Sequence, residues 1–173
     1  MSMDRCILTT KDFTILEVML DRCLGRDDPL APILRRKLEA ASIVLRDDVP
    51  AAVATLSSRV TFSVGGRQAD TRVLSHDRMN SPGVFLPITT ARGLALLGLS
   101  EGQRFRLRGS DGAEEDVLLE SVLYQPEAAR RRKEAPLRPA PQRKPVVLTL
   151  VRGGEQHRMD GADGFDDPGP SAA

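Results

Sequence analysis

Residues 9–46 read TTKDFTILEVMLDRCLGRDDPLAPILRRKLEAASIVLR, and the spacing of their apolar residues decides the N-terminal architecture. In the first half Phe13, Leu16, Leu20 and Cys23 recur at intervals of three, four and three. Ala31, Leu34, Leu38, Ala41 and Leu45 repeat that alternation in the second half. Such intervals place the side chains on one stripe of a helix, so each half carries a narrow apolar seam. Gly25-Arg26-Asp27-Asp28-Pro29 between them is too short for anything but an antiparallel return. Thr9 followed by Asp12 reads as a capping-box start, and Gly25 as the stop of the first helix. Asp28 as N-cap with Pro29 at the first helical position opens the second helix, which the pattern carries to about Arg46. Two helices of about 15 residues make an antiparallel coiled-coil prong over residues 7–48, roughly 22 Å long.

From Val53 the period changes to two. Val60, Phe62 and Val64 alternate with polar residues, and Gly65-Gly66 marks a hairpin whose return strand is Thr71 to Leu74. Val84 to Ile88 is an apolar run after a polar loop, and Ala91 to Leu97 is a short helix. Arg104 to Arg108 and Glu114 to Leu123 complete a twisted antiparallel sheet over residues 50–128. The fold class is therefore α+β. Beyond Pro126 the composition shifts to Pro, Arg, Gly and Ala, with seven basic residues against one acidic between Arg130 and Lys144. Residues 129–173 are expected to be a disordered tail, with Val146 to Val151 its one apolar run.

Bulk properties exclude several classes. The 173 residues suffice for one ordinary domain with appendages. A net charge of +1 gives no global attraction to nucleic acid or an anionic membrane. No apolar run approaches the ~20 residues of a membrane span, and the N-terminus has no signal-peptide pattern. Cys6 and Cys23 lack metal-ligand spacing. A cytoplasmic protein with reduced thiols is expected.

Three ordered stretches carry a resemblance: Leu56-Ser57-Ser58-Arg59-Val60-Thr61-Phe62, then Gly93-Leu94-Ala95-Leu96-Leu97-Gly98-Leu99 with Gly102 behind it, then Tyr124-Gln125-Pro126-Glu127-Ala128. With the opening Thr9-Thr10-Lys11-Asp12 they resemble, over residues 7 to 129, the Rnk family of regulators of nucleoside diphosphate kinase. That family is related to the transcript-cleavage Gre factors. The resemblance implies an FKBP-like β domain behind the coiled coil, and binding to RNA polymerase at the secondary-channel rim in competition with Gre factors. It puts partner contacts at Thr90, Ala91 and Arg92, where the family's usual Ser-Pro or Ala-Pro is Thr90-Ala91 here. It also puts acidic residues at the prong tip, where Asp27 and Asp28 stand.

Two chemistries fit those residues. Paired carboxylates at a tip can help hold Mg²⁺ and orient water for transcript cleavage. Capping of the second helix explains the same Asp-Asp-Pro order, and the prong is short by comparison with Gre factors. An FKBP-like fold also raises prolyl isomerase activity, which wants an aromatic-lined pocket; Phe62, Phe85, Phe105 and Tyr124 are the candidates. His76, between Ser75 and Asp77, reads as a surface-loop residue, since adjacent residues seldom form a triad. The glycines at 93, 98 and 102 read as turn punctuation, with no Lys-Ser/Thr behind them to make a phosphate loop. The expectation is a monomeric, non-enzymatic regulator without cofactor or metal. Its basic run Arg130 to Lys133 offers at most a salt-sensitive contact to nucleic acid.

Overall fold

Cys6 and Leu8 alternate with Ile7 and Thr9, and this short pattern begins the chain's architecture as a strand, β1 (Cys6–Thr9), which the sequence reading passed over. The computed structural model describes residues 5–23, 27–76, 83–108 and 112–135, all within the unit Met1–Pro136. β1 runs directly into helix α1 (Thr10–Cys23), where the Thr9 hydroxyl accepts the Asp12 N–H at 3.1 Å, the expected cap. The stop expected at Gly25 lies outside the described residues. Helix α2 (Ala31–Glu39) has only nine residues, about 13 Å, and stops two residues past Lys37 rather than near Arg46. Residues 41–44, which the seam placed on that helix, form strand β2 (Ala41–Val44), parallel to β1 with Leu8 opposite Ile43. The reason is local: Ile43 and Val44 are β-branched, and β1 offers them an open ladder.

The main sheet has five strands in the order β5-β4-β3-β7-β6. These are β3 (Arg59–Val64), β4 (Asp70–Ser75), β5 (Phe85–Pro87), β6 (Arg104–Arg108) and β7 (Glu114–Tyr124). The β3–β4 turn is as read: Gly65 and Gly66 have φ of 57° and 72°, and Arg67 N–H donates to Val64 O at 3.0 Å. The sheet is mixed rather than wholly antiparallel, because β4 and β5 pair in parallel. Two register shifts between β3 and β7 mark irregular pairing, which bends and twists a sheet. Helix α3 (Ala91–Leu96) packs on its inner face, beside β5, β6 and β7. A fourth helix, α4 (Pro126–Glu134), occupies residues 129–134, which composition assigned to the disordered tail. Pro in the first turn, Glu127 behind it and basic residues in the last turn are ordinary helix signals. Gln125 ties the helix down by donating to Pro50 O at 2.8 Å and Val53 O at 2.7 Å. The remainder of the expected tail lies outside the described residues.

One apolar cluster runs through the helix pair and the sheet. Leu16 and Leu34 are fully buried in it beside Leu94, Phe105 and Leu119. Each such leucine contributes about 1.5–3 kcal/mol by leaving water. The helix pair therefore shares its core with the sheet.

Two buried charges mark the seam between them. Lys37 of α2 is 1% exposed. Its ammonium donates to Leu97 O, lies 3.9 Å from Cys6 Sγ and 4.8 Å from the centre of the Phe105 ring. Burial lowers its pKa to about 8, opposed by the neighbouring Cys6. Asp12 is the second, 2% exposed with Oδ2 unpartnered among the described residues. Burial raises its carboxyl to about 6, although the Thr9 hydroxyl and the Leu56 N–H bond to it and hold it down. The native state thus binds the Asp12 proton more tightly than the unfolded chain does. Its contribution to stability is fully present below pH about 4 and is lost as pH rises through 6. Asp12→Asn, which mimics the protonated acid, is expected to remove that loss. Urea titrations at pH 4 and 7.5 should show wild type losing up to about 3 kcal/mol relative to the variant; equal pH profiles would contradict the assignment.

Candidate interaction surfaces

The expected partner residues begin α3. Thr90 adopts extended backbone, its hydroxyl accepts the Gly93 N–H at 3.2 Å and donates to Pro87 O at 2.6 Å. Its polar group is thus committed to starting the helix. Gly93 is more than punctuation: a Cβ there would run into Pro87 O, with Pro87 C at 2.7 Å, so only glycine lets α3 lie this close to the end of β5. Ala91 is half-buried against the core. Arg92 is the outward-facing member, 49% exposed, and it grips Glu115 of β7 with two bonds, Nε–Oε2 at 3.1 Å and Nη2–Oε1 at 2.8 Å. The sequence reading did not find Glu115; an acidic residue 23 positions away reaches Arg92 only after the sheet folds beneath α3.

Beside Arg92 lies a hollow of about 330 Å³. Phe62, Val64 and Leu86 line it, and Arg67, Arg72 and Asp70 stand at its edge with Arg92. The strand register brings them together, since Phe62 faces Asp70 across β3–β4 and Leu74 faces Leu86 across β4–β5. Of the four aromatics weighed for an isomerase pocket, Phe62 alone lines this hollow.

The tip residues Asp27 and Asp28 border a wider groove of about 950 Å³ between α2 and the β6–β7 hairpin. Asp28 Oδ1 accepts the Leu30 N–H at 2.8 Å, and its backbone C=O accepts the Ala31 N–H at 3.1 Å. These bonds close the turn ahead of α2, but Asp28 is not its N-cap as expected: the helix begins at Ala31 with Leu30 as N-cap, and not at Pro29. Across the groove stand Arg106 and Arg108 with Glu114, and Arg36 donates to Arg106 O at 2.9 Å, tying α2 to the edge of β6. Among the described residues no three His, Cys, Asp or Glu side chains converge as a metal site, and no helix is long and apolar enough to cross a membrane. In the basic run, Arg131 donates to Asp47 O at 3.1 Å and Arg130 pairs with Glu134.

Compared with known proteins, the regulator of nucleoside diphosphate kinase of Escherichia coli (strain K12) is 27% identical over 131 residues, covering 75% of this chain and 96% of that protein. The chain resembles the regulators of nucleoside diphosphate kinase. The protein of that name from Shigella flexneri matches with the same identity and coverage. Among solved structures, the prokaryotic transcription elongation factor GreA/GreB from Nitrosomonas europaea is 26% identical with a TM-score of 0.50, covering 69% of this chain and 98% of that one. No family model matches the sequence. The mixed α+β architecture with its helix pair and bent sheet is thus similar to that of a Gre-type factor.

Proposed function

We propose that this protein is a non-enzymatic, cytoplasmic transcription regulator that binds RNA polymerase as Rnk-type proteins do, at the secondary-channel entrance. The observation that carries this reading is a match spanning 96% of the nucleoside diphosphate kinase regulator, together with a Gre-like fold. In this reading the sheet with α3 corresponds to the FKBP-like domain of Gre factors, and α1 with α2 to a shortened coiled coil. The exposed Arg92 end of α3 contacts the polymerase rim. The effect on nucleoside diphosphate kinase then runs through transcription.

Two features favour occupation of the entrance over stimulation of cleavage. Helix α2 extends only about 13 Å, and the Asp28 carboxylate is already engaged with the Leu30 N–H. A pull-down of core RNA polymerase, with and without excess Gre factor, tests the reading. Retention of polymerase that the Gre factor displaces is the expected result, with no transcript cleavage by stalled complexes. Absence of binding, or binding indifferent to the Gre factor, would overturn the assigned address. Cleavage lost on replacing Asp27 and Asp28 by alanine would replace it with the elongation-factor role.

A further inference from the structure

The surface around Arg92 is basic by count and apolar at its centre. Arg67, Arg72 and Arg92 border the hollow, and Asp70 is the acidic residue among them. Two of the three guanidiniums already hold a carboxylate of this chain: Arg72 bonds Asp70 at 2.8 Å, and Arg92 holds Glu115 by two bonds. Arg67, exposed just after the β3–β4 turn, has no ion pair among the described residues. Between them the part-buried Leu86 and the bottom of the hollow at Phe62 and Val64, each less than a tenth exposed, make an apolar floor.

We propose that this hollow docks an acidic protein segment bearing one apolar anchor residue, and that Glu115 is an internal competitor which that segment displaces from Arg92. The anchor seats on Phe62, Val64 and Leu86, one carboxylate takes the unshared Arg67, and a second replaces Glu115 in the planar fork of Arg92. The displaced pair is half-exposed, with Arg92 at 49% and Glu115 at 34%, so water screens it and its loss is cheap. Glu115 therefore lowers affinity by a small factor while excluding partners that bring no carboxylate. Nucleic-acid phosphate would also attract arginines, but an apolar floor with Asp70 at its edge favours a protein segment.

The assignment rests on the polymerase-binding reading for its natural partner, so two probes are used: core RNA polymerase, and a blocked pentapeptide of four glutamates around one leucine. Wild type, Arg67→Glu and Glu115→Gln are compared after thermal melts establish that each is folded. Both substituted positions reach solvent, Arg67 exposed at the edge of the hollow and Glu115 beside it on β7, so replacement leaves the core intact. Arg67→Glu is expected to weaken both interactions about tenfold, and Glu115→Gln to tighten both by up to about fivefold. Peptide binding with this pattern, but no polymerase binding, would keep the docking surface and remove the polymerase reading. Polymerase binding that neither variant changes would keep that reading and overturn this surface. Failure of both probes to bind overturns both. A polyuridine oligonucleotide bound more tightly by Glu115→Gln, with no change for the peptide, would reassign the surface to nucleic acid and overturn the proposal.

Discussion

Leu34→Asp is expected to unfold the whole of the described unit, sheet included. Leu34 is fully buried in the same apolar cluster as Leu94, Phe105 and Leu119. Removing it forfeits the transfer and cavity contributions of a core leucine, about 2–5 kcal/mol, and the new carboxylate adds a desolvation cost or must protonate. The sum approaches or exceeds the stability of an ordinary domain, about 5–15 kcal/mol. Circular dichroism at 25 °C would show loss of strand and helix signals together. An independent prong makes the opposite forecast: helix signal falls while the sheet keeps its own cooperative transition in urea. That outcome would show that the shared core does not couple the two parts.

Gly98→Ala should cost about 3 kcal/mol for the addition of one methyl group. Gly98 sits at φ +80°, and a Cβ there would run into Cys6 Sγ and lie 2.7 Å from Leu8 Cδ2. The backbone has no room to yield. The Gly98 N–H donates to Ala54 O at 2.7 Å, and its C=O accepts the Ile7 N–H at 2.9 Å, so the residue joins β1 to the loop before β3. The left-handed conformation contributes about 1–2 kcal/mol of the cost and overpacking the rest. Gly102→Ala is the control: φ is +81° there, but nothing lies within 4 Å of the added carbon. Urea midpoints should separate the two variants by about 1–3 kcal/mol. Equal losses would mean that conformation alone matters and that the Cys6–Leu8 contact is slack.

The contrast between these two glycines shows how far the sequence could be read. Both carry a positive φ, and both stood out as punctuation; only the fold puts β1 against one of them. Of the surface residues, Arg92 came only through the family resemblance, and Asp28 from its place before Pro29. Glu115, Arg67 and Leu86 were not, because they come from β7, the β3–β4 turn and β5 and meet only through strand pairing.

The sequence by itself determined what depends on near neighbours. The Thr9–Asp12 cap, the Gly65-Gly66 turn, the alternation along β3 and the short helix after Thr90 all follow from groups within four residues of each other. It also carried the resemblance to nucleoside diphosphate kinase regulators. Tertiary structure alone decided where α2 ends, since Ala41 to Val44 fit a helical seam and a strand equally well until β1 supplied a ladder. It decided that Lys37, a charged residue in an amphipathic pattern, lies beneath α2 on Leu97 O and Phe105. Likewise it anchored Pro126–Glu134, whose own residues carry helix signals, by giving Gln125 and Glu127 partners more than 70 residues earlier in the chain. Periodicity records which face of an element is apolar. Which surface meets that face, and which charge is buried with it, is set by contacts between distant segments that a local pattern does not encode.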